Sequence, residues 1–272
     1  MDKIDFSYAS DVEHNFTQRL IIKTIERATG KKKLERLYNE YSKLDSDPKL
    51  FWTNILKVMN IKILNKTNKK ISIPENGSLI VIANHPFGII DGLILCSIVS
   101  DVRSDFKIMT HETLKFLPQL EEFILPVNFN GTDKETIKYN LKTATKAKKQ
   151  LENDGVLIIF PSGSVSIAKN LKSAAKDDEW KTFPAKLIQQ TKADVLPIYF
   201  DGKNGLLFHL FASKINSSTL KYSSYIHETK KKIGKDIAIY PGDIIRNETI
   251  KHFENRSDLM SHLKNITYNL KK

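Results

Sequence analysis

One cysteine, Cys96, stands among 272 residues, which excludes an intramolecular disulfide and a cysteine-rich zinc site. It lies inside an apolar run, where a buried structural thiol is expected rather than a nucleophile. No apolar run is long enough to read as a transmembrane helix, because the longest is broken by Asn84, His85 and Asp91. Met1–His14 is polar and acidic and has no apolar core, so no signal peptide is expected. There is no internal repeat and no low-complexity linker. Zinc-finger spacing, an aromatic-rich RNA-binding strand and an arginine stripe are all missing, which speaks against nucleic acid as a partner.

What is present is charge. The formal net charge is +12, carried mainly by lysine spread along the chain. Such a surplus suits an anionic membrane surface or acidic ligands. The length allows one large domain, or one domain with a helical appendage. The expected division is an N-terminal helical segment over residues 1–60, a candidate for membrane contact, and a main domain over 61–272.

The chain is organised around Leu79–Ser97, LIVIANHPFGIIDGLILCS. Leu79–Ile82 is an unbroken apolar run, as expected of a strand buried on both faces. Pro86 disfavours the α conformation at His85 and suits a first helical position. The prediction is a strand, His85 at its carboxyl end, and a helix starting at Pro86 or Phe87 that turns Asp91 back towards His85. Open α/β sheets place their chemistry at such strand ends, and a histidine held by a carboxylate is a candidate general base. His85 and Asp91 alone are too few ligands for a metal.

The remaining elements alternate. Helices are expected at Asp11–Thr29, Lys31–Leu44, from Asp47-Pro48 to Val58, and at Leu114–Leu120. Further helices are expected from the capping box at Thr132–Glu135 to Leu151, at Phe183–Gln190, and at Asn255–Leu270. Strands are expected at Ile61–Leu64, Phe106–Met109, Phe123–Val127, Val156–Phe160, Val195–Phe200 and Ile237–Tyr240. This pattern predicts an α/β fold: a mixed, mostly parallel sheet flanked by helices, with an N-terminal helical segment. A second candidate site follows the strand ending at Phe160. Phe160–Ser166, FPSGSVS, is a tight turn offering backbone N–H groups and hydroxyls to an oxyanion. No G-x-S-x-G lies near it, so a serine nucleophile is not expected.

Together these stretches resemble a known family. NHPFGIIDG at Asn84–Gly92 resembles the histidine–aspartate motif of the lysophospholipid (glycerolipid) acyltransferase family, with its 1-acylglycerol-3-phosphate acyltransferase-like domain. FPSGSVS resembles that family's downstream phenylalanine-proline-x-glycine motif, and Val195–Ile198 its late strand ending in proline. FILPVNFN at Phe123–Asn130 occupies the place of the intervening substrate-binding motif. The resemblance runs from about Ile61 to Ile245 in matching order. It is closest to the hemolysin-like, lyso-ornithine-lipid O-acyltransferase branch, through His-Pro-x-Gly, Asp178-Glu179-Trp180 and Phe200–Asn204. The chain has one residue more between His85 and Asp91 than the superfamily's usual motif, and Ser162 and Ser164 where acidic residues are common. It also lacks the arginine that binds acceptor phosphate.

The resemblance implies an O-acyltransferase that moves a fatty acyl group from an acyl-carrier-protein or coenzyme A thioester to a lysolipid hydroxyl. The acceptor is expected to be a lyso-ornithine-type aminolipid or a lysophospholipid. His85 is then the general base and Asp91 its orienting carboxylate. Asn84, Phe87, Gly88, Phe160, Pro161, Ser162, Gly163 and Ser164 contact substrate. No cofactor and no metal are implied, and the expected location is the cytoplasmic face of the cell membrane, bound peripherally. The rival reading is a catalytically silent lipid- or acyl-carrier-binding protein on the same fold.

Overall fold

Runs of β-branched and aliphatic residues make the strands here, and their alternation decides which face each side chain covers. The computed structural model describes residues 31–41, 50–111, 118–128, 132–170, 172–206, 208–209 and 218–272. Among these, seven strands form one sheet: β1 (Lys62–Asn65), β2 (Leu79–Ala83), β3 (Phe106–His111), β4 (Ile124–Val127), β5 (Val156–Ile159), β6 (Asp194–Asp201) and β7 (Asp236–Pro241). Their order is β1-β7-β6-β2-β5-β3-β4. All pairs are parallel except β6 with β7, so β1 and β7 run against the other five. The sheet is mixed and mostly parallel, as predicted.

The described helices are α1 (Lys31–Tyr41), α2 (Phe51–Val58), α3 (Ile89–Ser100), α4 (Lys134–Glu152), α5 (Phe183–Thr191), α6 (Ser218–Lys232), α7 (Asn247–Ile250) and α8 (Arg256–Asn269). Central strand β2 is buried at every residue. Leu79, Val81 and Ala83 point into one core with Ile90, Ile94 and Leu95 of α3 and Phe51, Trp52 and Ile55 of α2. Ile80 and Ile82 point into the opposite core with Leu151 of α4, Ile188 of α5 and Leu263 of α8. The described part of the N-terminal segment thus shares a core with β2. Burying Trp52 against Phe106 and Phe123 alone contributes on the order of 2–3 kcal/mol.

Several local expectations are corrected. The helix after His85 starts at Ile89 rather than at Pro86 or Phe87, because Gly88 adopts φ 79° and forms the N-cap. The cap of α4 is Asp133, not Thr132: its carboxylate accepts from Thr136 N at 2.9 Å and Thr136 Oγ1 at 2.7 Å. Helix α6 was not expected, and a 3-10 turn at Pro118–Phe123 stands where a helix end was expected. The expected helix at Asp11–Thr29, the Asp47-Pro48 cap and residues 112–117 lie outside the described residues.

Arg103 staples the edge formed by the amino ends of β2, β3 and β5. Its guanidinium pairs with Asp105 at 2.7 and 2.5 Å and donates to the carbonyls of Pro74, Gly77 and Asp154. That bidentate pair holds the Asp105 carboxyl below the usual carboxylate range.

Candidate active site

The carboxyl ends of β2 and β5 meet at the opposite edge. His85 leaves β2 half-buried, and its ring stacks on Phe160 at the end of β5, with centroids 3.9 Å apart. Gly88 then reverses the chain; a Cβ there would meet Tyr225 at 3.3 Å and Val165 at 3.4 Å, and its positive φ would strain any other residue. This turn brings Asp91, in the first turn of α3, back beneath His85. Asp91 Oδ2 lies 3.0 Å from His85 Nδ1 and accepts from Phe87 N at 2.8 Å and Gly88 N at 3.0 Å. The carboxylate is fully buried, and among the described residues Oδ1 has no hydrogen-bond partner. Burial pushes the Asp91 pKa up, opposed by His85 and the two amides. An ionised Asp91 accepts the proton on Nδ1, which leaves the lone pair on Nε2.

The other residues singled out in the sequence are brought to the same edge. Asn84 is buried and its amide is used twice by Phe200, donating to its carbonyl at 2.9 Å and accepting from its N–H at 2.7 Å. It ties β2 to β6. Phe87 is buried, with the Lys232 ammonium 4.2 Å from its ring centre. In the serine turn, Gly163 adopts φ 70° and donates its N–H to the Phe160 carbonyl. The Ser162 hydroxyl donates to the Ser164 carbonyl at 2.7 Å, so it braces its own turn, while the Pro161 carbonyl accepts from Lys181 N. Ser164 is exposed.

One residue at this edge escaped the sequence reading. Asp177 is buried and accepts from His85 N at 3.2 Å, from the Ser166 hydroxyl in a short bond, and from Trp180 Nε1 at 2.8 Å. Its own N–H donates to the Tyr268 hydroxyl at 2.8 Å, and Ser166 N donates to the His85 carbonyl. Asp177 therefore fastens the His85 backbone to the serine turn and to α8. The available signal was its place next to Asp178-Glu179-Trp180. His209 is also buried and joins two loops, with Nε2 facing the Asn204 carbonyl and Nδ1 accepting from Ala168 N. Among the described residues no group of His, Cys, Asp and Glu is arranged to hold a metal ion. Cys96 is buried, and burial pushes its thiol pKa up, as fits a structural thiol.

The Acyltransferase family model matches residues 64–201, which span both His85–Asp91 and the serine turn. The chain belongs to the acyltransferase family. Curated relatives are two proteins named lyso-glycine lipid O-acyltransferase. The one from Phocaeicola vulgatus is 28% identical over 154 residues, covering 56% of this chain and 52% of that protein. The one from Bacteroides thetaiotaomicron is 25% identical over 205 residues, covering 73% of this chain and 72% of that protein. The chain thus spans about half the length of the first relative. The crystal structure of the 1-acyl-sn-glycerophosphate acyltransferase PlsC from Thermotoga maritima superposes with a TM-score of 0.51 at 13% identity, over 93% of this chain and 91% of that one. That likeness shows the acyltransferase fold. No described helix is long and apolar enough to cross a membrane.

Proposed function

We propose that this protein acylates the hydroxyl of an amino-acid lysolipid, using a fatty acyl thioester of acyl-carrier protein or coenzyme A. The observation that carries the reading is the 3.0 Å contact between His85 Nδ1 and a buried Asp91 at the carboxyl end of β2. His85 Nε2 removes the acceptor's hydroxyl proton as the oxygen attacks the thioester carbonyl. Collapse of the tetrahedral intermediate expels the thiolate, which takes the proton back from the imidazolium. Asp91 holds the ring and stabilises its charged form, as a triad carboxylate does. No serine nucleophile is needed, and the Ser162 hydroxyl is already engaged within its turn.

Substrate contact falls to Phe160, Pro161, Gly163 and Ser164, on a frame set by Asn84, Phe87, Gly88 and Ser162. The relatives' name favours a glycine-type acceptor over an ornithine-type one; a lysophospholipid is the third candidate. Residues 1–60 and the lysine surplus attach the protein to the anionic inner face of the cell membrane. The test offers labelled acyl-carrier protein and acyl-coenzyme A to lyso-glycine lipid, lyso-ornithine lipid and lysophosphatidic acid in parallel. Transfer to an amino-acid lysolipid is expected. Transfer to lysophosphatidic acid alone overturns the acceptor class, and no transfer from a folded protein leaves a silent binding protein.

A further inference from the structure

Lys232 ends α6 with a partly buried ammonium that, among the described residues, has no carboxylate in contact with it. Among the described residues its hydrogen bond is to the Lys203 carbonyl at 3.3 Å, and no carboxylate lies within ion-pair distance. The acids that act on it are engaged elsewhere. Glu228 accepts from Lys231 and from Gly205 N, each at 2.8 Å, and Asp91 Oδ2 accepts from Phe87 N and Gly88 N. Asp201, which lines the same cavity, is bound by Lys271 at 2.6 Å. Burial pushes the Lys232 pKa down, with Glu228 and Asp91 pulling the other way. A desolvated ammonium without a counter-ion is costly, and such groups in clefts mark sites that take up a ligand.

Lys232 also lines a cavity of about 330 Å³, together with Lys203, Lys231, Lys235, Phe87 and Asp236. The wall is closely fitted. Gly202 adopts φ 138°, and a Cβ there would lie 2.5 Å from the Phe87 ring. Phe87 belongs to both places: its ring faces the cavity beneath Lys232, and its N–H donates to Asp91. The cavity is therefore one residue away from the His85–Asp91 pair, at the same edge of the sheet.

We propose that this cavity binds an anionic group of a substrate, a carboxylate or a phosphate, with Lys232 as its principal partner. Two sources carry that chemistry: an acidic acceptor head group and the phosphates of the thioester carrier. Assigning the source rests on the acyl-transfer reading; the anion site itself does not.

Calorimetric titration of the full chain with inorganic phosphate and with hexanoylglycine tests the site without turnover. The wild type is expected to bind at least one of them, and Lys232→Met to bind it about tenfold or more weakly, as befits losing a charged hydrogen bond. Methionine keeps the apolar stem on Phe87; if that variant does not fold, exposed Lys235→Met supplies the comparison with a smaller loss. No binding by the wild type, or equal binding by wild type and variant, overturns the proposal. In steady state, a rise in KM for the acceptor alone assigns the anion to the head group, and a rise for the donor alone assigns it to the carrier. A fall in kcat with both KM values unchanged also overturns it. Lys232-dependent binding in a protein that transfers no acyl group would leave the anion site standing and remove the acyl-transfer reading.

Discussion

The two edges of the sheet handle buried charge in opposite ways. At the amino edge, Arg103 is almost fully buried, yet it is paired with Asp105 and bonded to three carbonyls. At the carboxyl edge, among the described residues, Asp91 is fully buried with Oδ1 unpartnered, and Lys232 has no carboxylate within ion-pair distance. The first arrangement stabilises the fold and leaves nothing over for a ligand. The second costs stability, and the groups it leaves incomplete are those a reaction can use. Asp177 belongs with the first kind although it sits at the second edge: each of its oxygens accepts a hydrogen bond, and it holds His85 by the backbone.

This contrast makes predictions. His85→Ala should leave a folded protein whose acyl transfer falls about 100- to 10,000-fold, the usual worth of a general base; activity within tenfold of wild type breaks the assignment. Asp91→Asn should lower kcat by a comparable ~1,000-fold or more through the wrong ring tautomer, while its Tm at pH 7 stays level or rises. The sign follows from the raised pKa of Asp91. A carboxyl that binds its proton more tightly when folded contributes stability below its unfolded value of 3.8 and loses it as pH rises through the folded value. Any Tm advantage of the variant should therefore shrink as pH falls towards 3.8. Arg103→Ala should do the reverse, with an unfolding free energy lower by about 2–4 kcal/mol in denaturant titrations and kcat nearly unchanged at a permissive temperature.

Asp177 should fall between the two edges. Asp177→Ala should lose about 1–3 kcal/mol by stranding buried donors and should lower kcat, whereas Asp177→Asn, which keeps one carbonyl acceptor for His85 N, should recover most of that kcat. Equal losses in both variants would reduce Asp177 to a fold residue. The smallest effect is expected at Cys96. Cys96→Ala should leave kcat unchanged and cost stability only through the cavity it opens.

Most of the sheet could be read from the chain because its signals are local. The run at Leu79–Ile82 is apolar throughout because both faces of β2 are covered. His85 and Asp91 are six positions apart, so one turn was enough to infer their contact. The helix start was misplaced because a single left-handed glycine, Gly88, outweighed the first-position preference of Pro86. Helix α6 escaped because its buried face includes Ser224, Glu228 and Thr229, which blur any apolar stripe. Asp177 escaped for another reason: its partners lie at His85, Ser166 and Tyr268, separations no short-range pattern encodes. The antiparallel β6–β7 pairing is likewise a choice of topology, not of composition.

The central claim is that Asp91 fixes the His85 ring with its proton on Nδ1 and its lone pair on Nε2. Long-range proton–nitrogen NMR on protein labelled with ¹⁵N-histidine, assigned with His85→Ala, reads this directly. The expected spectrum at pH 8 shows His85 protonated at Nδ1 and bare at Nε2, with that preference lost in Asp91→Asn. An Nε2-protonated ring in the wild type would contradict the account.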